Sequence, residues 1–231
     1  MKWFGRPNQP VNSGASMENA TLQSIYQHCT TLNPRKINKQ SIEEARFVVI
    51  DTETTGFHAY SNDEIVSIAM IELIGLEQTG QQFKTLINPE RSIPESSTKI
   101  HGITDDDVVG APKLSEKLPD IMAFIDSAVL IGHHVNFDIR FINKRLQKLV
   151  GCSLQNPWVD TMLLYLELSG KMGHYSLEDV AQAAGVEIKE RHTAYGDAFA
   201  TLEIFVKFTQ QILKLHEPVS RLIAMQYNNE I

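Results

Sequence analysis

The sequence predicts an α/β fold: a mixed sheet in which a three-stranded antiparallel meander is continued by parallel strands, flanked by helices. Three observations predict it. The run Phe47-Val48-Val49-Ile50, rich in β-branched and aromatic residues, has the apolar continuity of a strand buried on both faces. Two further strand patterns, over 65–74 and 82–87, are separated by Gly75 and Gly80, and links this short join only antiparallel neighbours. From residue 114 onward helical and strand periods alternate, which signals parallel strands joined by crossover helices.

In chain order, residues 1–16 mix Gly5, Pro7, Pro10, Ser13, Gly14 and Ser16 with few aliphatics, so they cannot offset the entropy of ordering and a mobile tail is expected. Over 17–32, Ala20, Leu22, Ile25, Tyr26 and Cys29 fall near the 3.6-residue period, and Asn33-Pro34 stops the helix. Its apolar stripe must pack on the main domain or on a partner. The first strand ends at Asp51 and a loop, Thr54-Thr55-Gly56, follows. Helical patterns over 114–125 and 137–149 flank a strand at 128–131; Trp158-Val159 marks a last short strand, and helices run to about Leu215. These limits divide the chain into an N-terminal extension, 1–45, a core domain, 46–215, and a short C-terminal tail, 216–231. No internal repeat or low-complexity run interrupts them.

The 231 residues include 28 Asp or Glu and 21 Lys or Arg, a formal net charge of −7, which excludes a simple polycationic nucleic-acid coat protein. No apolar run approaches the ~18 residues of a membrane span, and the first residues lack the apolar stretch of a signal peptide. With only two cysteines, Cys29 and Cys152, a disulfide framework is not expected and a reducing, cytoplasmic location is.

The carboxylates stand out against this background. Asp51 and Glu53 lie two apart at the end of an apolar strand, so both side chains project from one face and repel each other unless a cation or hydrogen bonds satisfy them. Alone, the pair reads equally as a divalent-metal site or as a turn cap with Thr54 and Thr55. Asp138 follows the second parallel strand at a helix start, where α/β sites gather and where a lone Asp also suits the helix dipole. His192 and Asp197 are five residues apart, which is not a same-face helical spacing, so His192 falls on the loop before the last long helix and can fold over a site floored by Asp197. The adjacent His133 and His134 have no third donor at metal-ligand spacing, Asp160 reads as an N-cap, and Ser176 with Asp179 as a capping box.

Taken together, Asp51-Thr52-Glu53-Thr54-Thr55-Gly56, Asn136-Phe137-Asp138 and His192-x-Ala194-x-x-Asp197-Ala198 resemble the three motifs of the DEDDh 3′-to-5′ exonucleases, a family that includes DnaQ-like proofreading subunits and ribonuclease T. The match runs in order from about Arg46 to Leu215. The sister DEDDy group has Tyr four residues before the last Asp; here that residue is Thr193, so the His variant is indicated. His134 departs from the Asn of many relatives.

The resemblance implies a ribonuclease-H-like fold and a hydrolase that releases nucleoside 5′-monophosphates from single-stranded 3′ ends of DNA or RNA. It implies that Asp51, Glu53, Asp138 and Asp197 hold two Mg²⁺ ions, with Mn²⁺ as a substitute, and that His192 is the general base. In such two-metal sites one ion acidifies the attacking water and the other stabilises the leaving oxygen. The ions would neutralise the four carboxylates, so the acidic total does not argue against a phosphodiester substrate. Substrate contacts are implied at Thr54, Phe57 and His101, with Phe57 stacking on a base; Phe57 reads equally as a core residue. A free-standing trimmer is expected rather than a polymerase-bound proofreading subunit, because only 217–231 follow the last expected helix. The N-terminal extension is the expected surface for a protein partner. From a different class, the same fold could serve as a catalytically silent module binding nucleic acid or a protein, although none of the four acids nor the His is lost. Oligomeric state and the choice of DNA or RNA stay open.

Overall fold

The computed structural model describes residues 13–227. Its elements are α1 (Ser13–Thr31), α2 (Pro34–Ile37), β1 (Arg46–Thr54), β2 (Ile65–Ile74), β3 (Glu77–Leu86), α3 (Glu95–His101), α4 (Asp105–Val108) and α5 (Leu114–Ile125). Then follow β4 (Val129–Gly132), α6 (Asn136–Val150), β5 (Trp158–Asp160), α7 (Thr161–Ser169), α8 (Leu177–Ala184), α9 (Ala194–Ile212) and α10 (Val219–Met225). The sheet order is β3-β2-β1-β4-β5, antiparallel on the β3 side of β1 and parallel on the β4 side. This is the mixed sheet that the pattern of strands and crossover helices predicts.

β1 is central, and its continuous apolar run is explained by helices on both sheet faces. Phe47 and Val49 point to one face with Ile71, Leu73 and Ile131, where α9 supplies Ala198, Leu202 and Phe205. The Phe47 and Phe205 rings lie 5.2 Å apart in a tilted pair. Val48 and Ile50 point to the other face, packing with Ile68, Met70, Leu118, Ile121, Phe141 and Ile142. The stripe of α1 joins this second core through Ile25 and Cys29, whereas Tyr26, on the expected stripe, is exposed.

Four stretches differ from the sequence expectation. β1 does not end at Asp51 but runs on to Thr54, because Thr52, Glu53 and Thr54 keep pairing with Ile68, Ser67 and Ile65 of β2, so the loop opens only at Thr55. β3 begins at Glu77 rather than near residue 82, because Gly75 (φ 60°) and Leu76 make a tight turn that pairs Ile74 with Glu77. Glu77 to Gln82 are exposed on an edge strand and polar throughout, so no alternation marks them. α1 begins at Ser13, inside the expected tail; residues 1–12 of that tail lie outside the described residues. Where a short tail is expected after residue 215, the chain instead turns back. The Ile42 amide donates to the Glu217 carbonyl (2.9 Å) and the Val219 amide to the Gln40 carbonyl (2.9 Å). Val219 and Leu222 of α10 are then buried in the α9-side core with Ile42 and Ala45.

Gln226, just beyond α10, is 3% exposed. Its side-chain carbonyl accepts from the Asp160 amide (3.0 Å) and its NH₂ donates to the Trp158 carbonyl (2.9 Å), covering the outer edge of β5. Among the described residues no helix is long and apolar enough to cross a membrane.

Candidate active site

The central strand carries the first two acids. Because β1 alternates, Asp51 and Glu53 continue the Phe47 and Val49 face and meet the first turn of α9, which holds Asp197. One carboxylate oxygen from each of Asp51, Glu53 and Asp197 lies within 4.8 Å of the others. Asp138 is not a member of that set. It lies in the first turn of α6, across the sheet, and accepts a 2.6 Å hydrogen bond from Thr52, the residue between the two acids of β1. It still lies close enough to Asp51 for their charges to repel.

Asp138 is aimed from below. The buried Asp160 caps α7 through the Met162 amide (3.0 Å), and its oxygens also accept from the amides of His134 and Val135 (3.1 Å each). This pins the turn that launches α6. His133 belongs to the same scaffold: its ring nitrogens meet Thr161 Oγ1 (3.1 Å) and the Tyr175 carbonyl (3.0 Å), and burial pushes its pKa down to about 4. His134 stacks on His174 with centroids 4.3 Å apart.

His192 falls on the loop before α9. Thr193 caps that helix, its Oγ1 accepting from the Gly196 amide (3.0 Å) and donating to the Glu190 carbonyl (2.7 Å). A Cβ on Gly196 would lie 2.3 Å from the Glu190 carbonyl oxygen, so the absence of a side chain is what lets this loop press against the helix. His101, nearly buried at the end of α3, accepts from the Ile103 amide (3.0 Å). Burial lowers its pKa, and the neighbouring His192 adds to that shift. Thr54 is buried and donates to the Gly56 carbonyl (2.7 Å), while Phe57 is 74% exposed. Phe57 is therefore not a core residue; its ring lies 6.4 Å from that of Phe137.

Burial and mutual repulsion dominate the electrostatics. Asp51 is held far above the ordinary carboxylate range, first by burial and then by Asp138, Asp197 and Glu53. Burial, with Asp197 adding to it, brings Glu53 to about 7. Burial brings Asp138 to about 7 against the opposing Thr52 hydrogen bond. Asp197 is raised by burial, opposed by Arg191 and by the amide and ring of His192. Arg191, which sequence reasoning missed, donates from Nη1 to Asp197 Oδ2 and from Nε to Glu178 Oε1 (2.6 Å). An Arg beside a His in a polar loop has the pattern of a solvated charge, so nothing in the sequence marks it.

A divalent cation fits this donor set. The three converging groups offer hard oxygen ligands only, and Asp197 Oδ1 is buried without a hydrogen-bond partner. A pH dependence follows. Carboxylates with raised folded-state pKa values favour the fold when protonated. Their contribution is complete below the unfolded pKa of ~4 and is lost as pH rises through about 7. In chelator, the melting temperature should therefore fall between about pH 5 and about pH 8, and saturating Mg²⁺ or Mn²⁺ should shrink that fall. A metal-free chain equally stable at both ends of the range would contradict these shifts.

Comparisons with known proteins agree with this architecture. The ribonuclease T family model, described as an exonuclease, matches residues 48–205. The chain is 40% identical over 169 residues to a "DNA polymerase III subunit epsilon-like protein" of Rhodobacter capsulatus, matching 72% of this chain and 24% of that one. It is 34% identical over 174 residues to the "DNA polymerase III subunit epsilon" of Aquifex aeolicus, matching 75% of this chain and 85% of that one. PolC-type relatives from Thermotoga species are longer still, and the match spans 12 to 13% of their length. Among solved structures, the "nuclease domain of 3'hExo, a DEDDh family member, bound to rAMP" superposes with a TM-score of 0.64 at 17% identity, covering 76% of this chain and 98% of that one. "Exonuclease X in complex with 5' overhanging duplex DNA" gives 0.61 at 21% identity, covering 77% and 99%. A five-stranded mixed sheet between helices, with its acids at the head of the central strand and on the helix crossing it, thus accompanies a sequence match over more than half the chain, and the chain belongs to the ribonuclease T exonuclease family, on a ribonuclease-H-like fold.

Proposed function

We propose that the chain removes nucleotides one at a time from single-stranded 3′ ends of DNA or RNA and releases nucleoside 5′-monophosphates. The observation that carries this reading is the convergence of Asp51, Glu53 and Asp197 within 4.8 Å beside the loop of His192. In it, Asp51, Glu53 and Asp197 hold divalent cations, two Mg²⁺ or Mn²⁺, with Asp138 completing the set from across the strand. Bound there, the cations would supply Lewis acidity to the attacking water and neutralise charge at the leaving oxygen.

The protein's own residues do the rest. His192 accepts a proton from the attacking water. Thr52 and Asp160 hold Asp138 in place, directly and through the turn before α6. Phe57, exposed at the site's rim, offers a face to the terminal base, a contact indifferent to base identity. Thr54 and His101 shape the wall against which the terminal nucleotide lies.

A second reading, a proofreading exonuclease that works beside a polymerase, draws support from the Rhodobacter and Aquifex relatives, both named for polymerase III subunit epsilon. In that reading the exposed side of α1 or of the C-terminal segment meets the polymerase.

The test uses 5′-labelled single-stranded DNA and its RNA counterpart, with and without Mg²⁺, for the wild type and Asp197→Ala. Metal-dependent laddering from the 3′ end, lost in the variant, is expected. Tight binding without shortening of either strand would instead make the chain a silent binding module. Shortening that appears only when a polymerase subunit is added would favour the proofreading reading.

A further inference from the structure

Arg191 is placed between two residues in the left-handed backbone region, Glu190 (φ 55°) and His192 (φ 63°), on the loop that presses against α9. From there its guanidinium forks. Nε donates to Glu178 Oε1 on the first turn of α8 (2.6 Å), and Nη1 donates to Asp197 Oδ2. The Asp197 side chain is 6% exposed and that of Arg191 29%, so the ion pair reaches into the site rather than lying on the surface. Among the described residues, Arg191 is the cation that pairs with the Asp51, Glu53 and Asp197 set.

We propose that Arg191 is a positioning residue that fills the cation's place in the metal-free protein and leaves Asp197 when a divalent ion binds. The proposal rests on the reading of Asp51, Glu53 and Asp197 as the ion site. The physical case is exclusion. A guanidinium donating to Asp197 Oδ2 and a divalent ion on the same carboxylate would be like charges a few ångströms apart in a partly buried place. Arg cannot avoid the clash by losing its proton, because its pKa stays above ~12 in proteins. It must move. Glu178, whose side chain is half exposed, gives it a partner to keep when Asp197 is surrendered.

The arrangement serves both states. Without an ion, three carboxylate oxygens within 4.8 Å repel one another, which favours splaying apart or taking up protons; the guanidinium opposes that repulsion and helps to keep them assembled. With an ion, the Arg191 backbone relaxes, and since His192 is the next residue, arrival of the ion is transmitted to the segment that carries the proposed base.

The test is calorimetric titration of Mn²⁺ into the metal-free full chain, as wild type, Arg191→Gln, Arg191→Lys and Asp51→Asn. An ion pair intermediate between exposed and buried should make Arg191→Gln bind Mn²⁺ on the order of tenfold more tightly, with Arg191→Lys in between. The same Arg191→Gln protein should melt earlier than wild type in chelator. Unchanged or weaker Mn²⁺ affinity in Arg191→Gln overturns the inference.

If that variant fails to fold, the wild type decides. Its Arg191 Nη–H resonances, from the arm that pairs with Asp197, should move and exchange faster with water on saturation with Mg²⁺ while the Nε–H keeps its Glu178 partner, and Nη–H resonances that stay in place overturn the inference. Wild-type Mn²⁺ binding that is absent, or indifferent to Asp51→Asn, removes the ion-site reading itself. Binding that needs Asp51 but ignores Arg191 removes this inference alone.

Discussion

His192→Ala is expected to slow turnover by ~10²–10⁴-fold, the usual contribution of a positioned general base, while changing affinity for a single strand by less than about threefold. The separation follows from how the loop is held. Its anchors are the Thr193 cap, the Arg191 bond to Glu178 and the close contact at Gly196, and none uses the imidazole. Removing the ring therefore leaves Asp197 and the loop backbone where they are and deletes only the proposed proton acceptor. Single-turnover rates at saturating labelled strand, set beside binding measured in a non-catalytic cation, resolve the two quantities. Wild-type turnover in the variant would take His192 out of the mechanism.

A still larger loss is expected from Asp51→Asn, with hydrolysis falling to background, accompanied by a gain in the stability of the metal-free chain. Asp51 sits among Asp138, Asp197 and Glu53 on a strand with helices over both faces, where burial and repulsion disfavour its charge. The amide keeps the shape and removes the charge. The melting temperature in chelator should then rise by about 2–4 °C for each kcal/mol of repulsion relieved, and saturating Mn²⁺ should no longer add to it. Stability and activity thus move in opposite directions, as they do where a site is assembled for a ligand rather than for the fold. A variant that loses activity and also melts earlier without metal would point to damage of β1 instead.

Much of this was legible because it follows from short-range rules. The 65–74 strand and the 114–125 helix lie where their periods put them, since each buries one defined face. Asp51 and Glu53 share a face because strand alternation permits nothing else, and the five-residue gap between His192 and Asp197 separates loop from helix for an equally local reason. What stayed hidden depends on distant partners. The Asp138 bond to Thr52 joins residues 86 apart, and Gln40 to Glu43 meet residues 215 to 219 only after the chain has closed on itself. Arg191 was invisible because its meaning lies in the two carboxylates it reaches. The first half of β3 was invisible because an exposed edge needs no hydrophobic rhythm.

The side chain of Gln226 has a consequence for symmetry. A sheet with two free edges can add copies at both and grow without limit, whereas one with a single free edge can only close. By satisfying the amide of Asp160 and the carbonyl of Trp158, Gln226 takes β5 out of reach, leaving β3 as the edge with unpaired backbone among the described residues. Among the described residues, strand pairing between copies is thereby left to β3 with β3 about a two-fold axis, a geometry that closes at a pair.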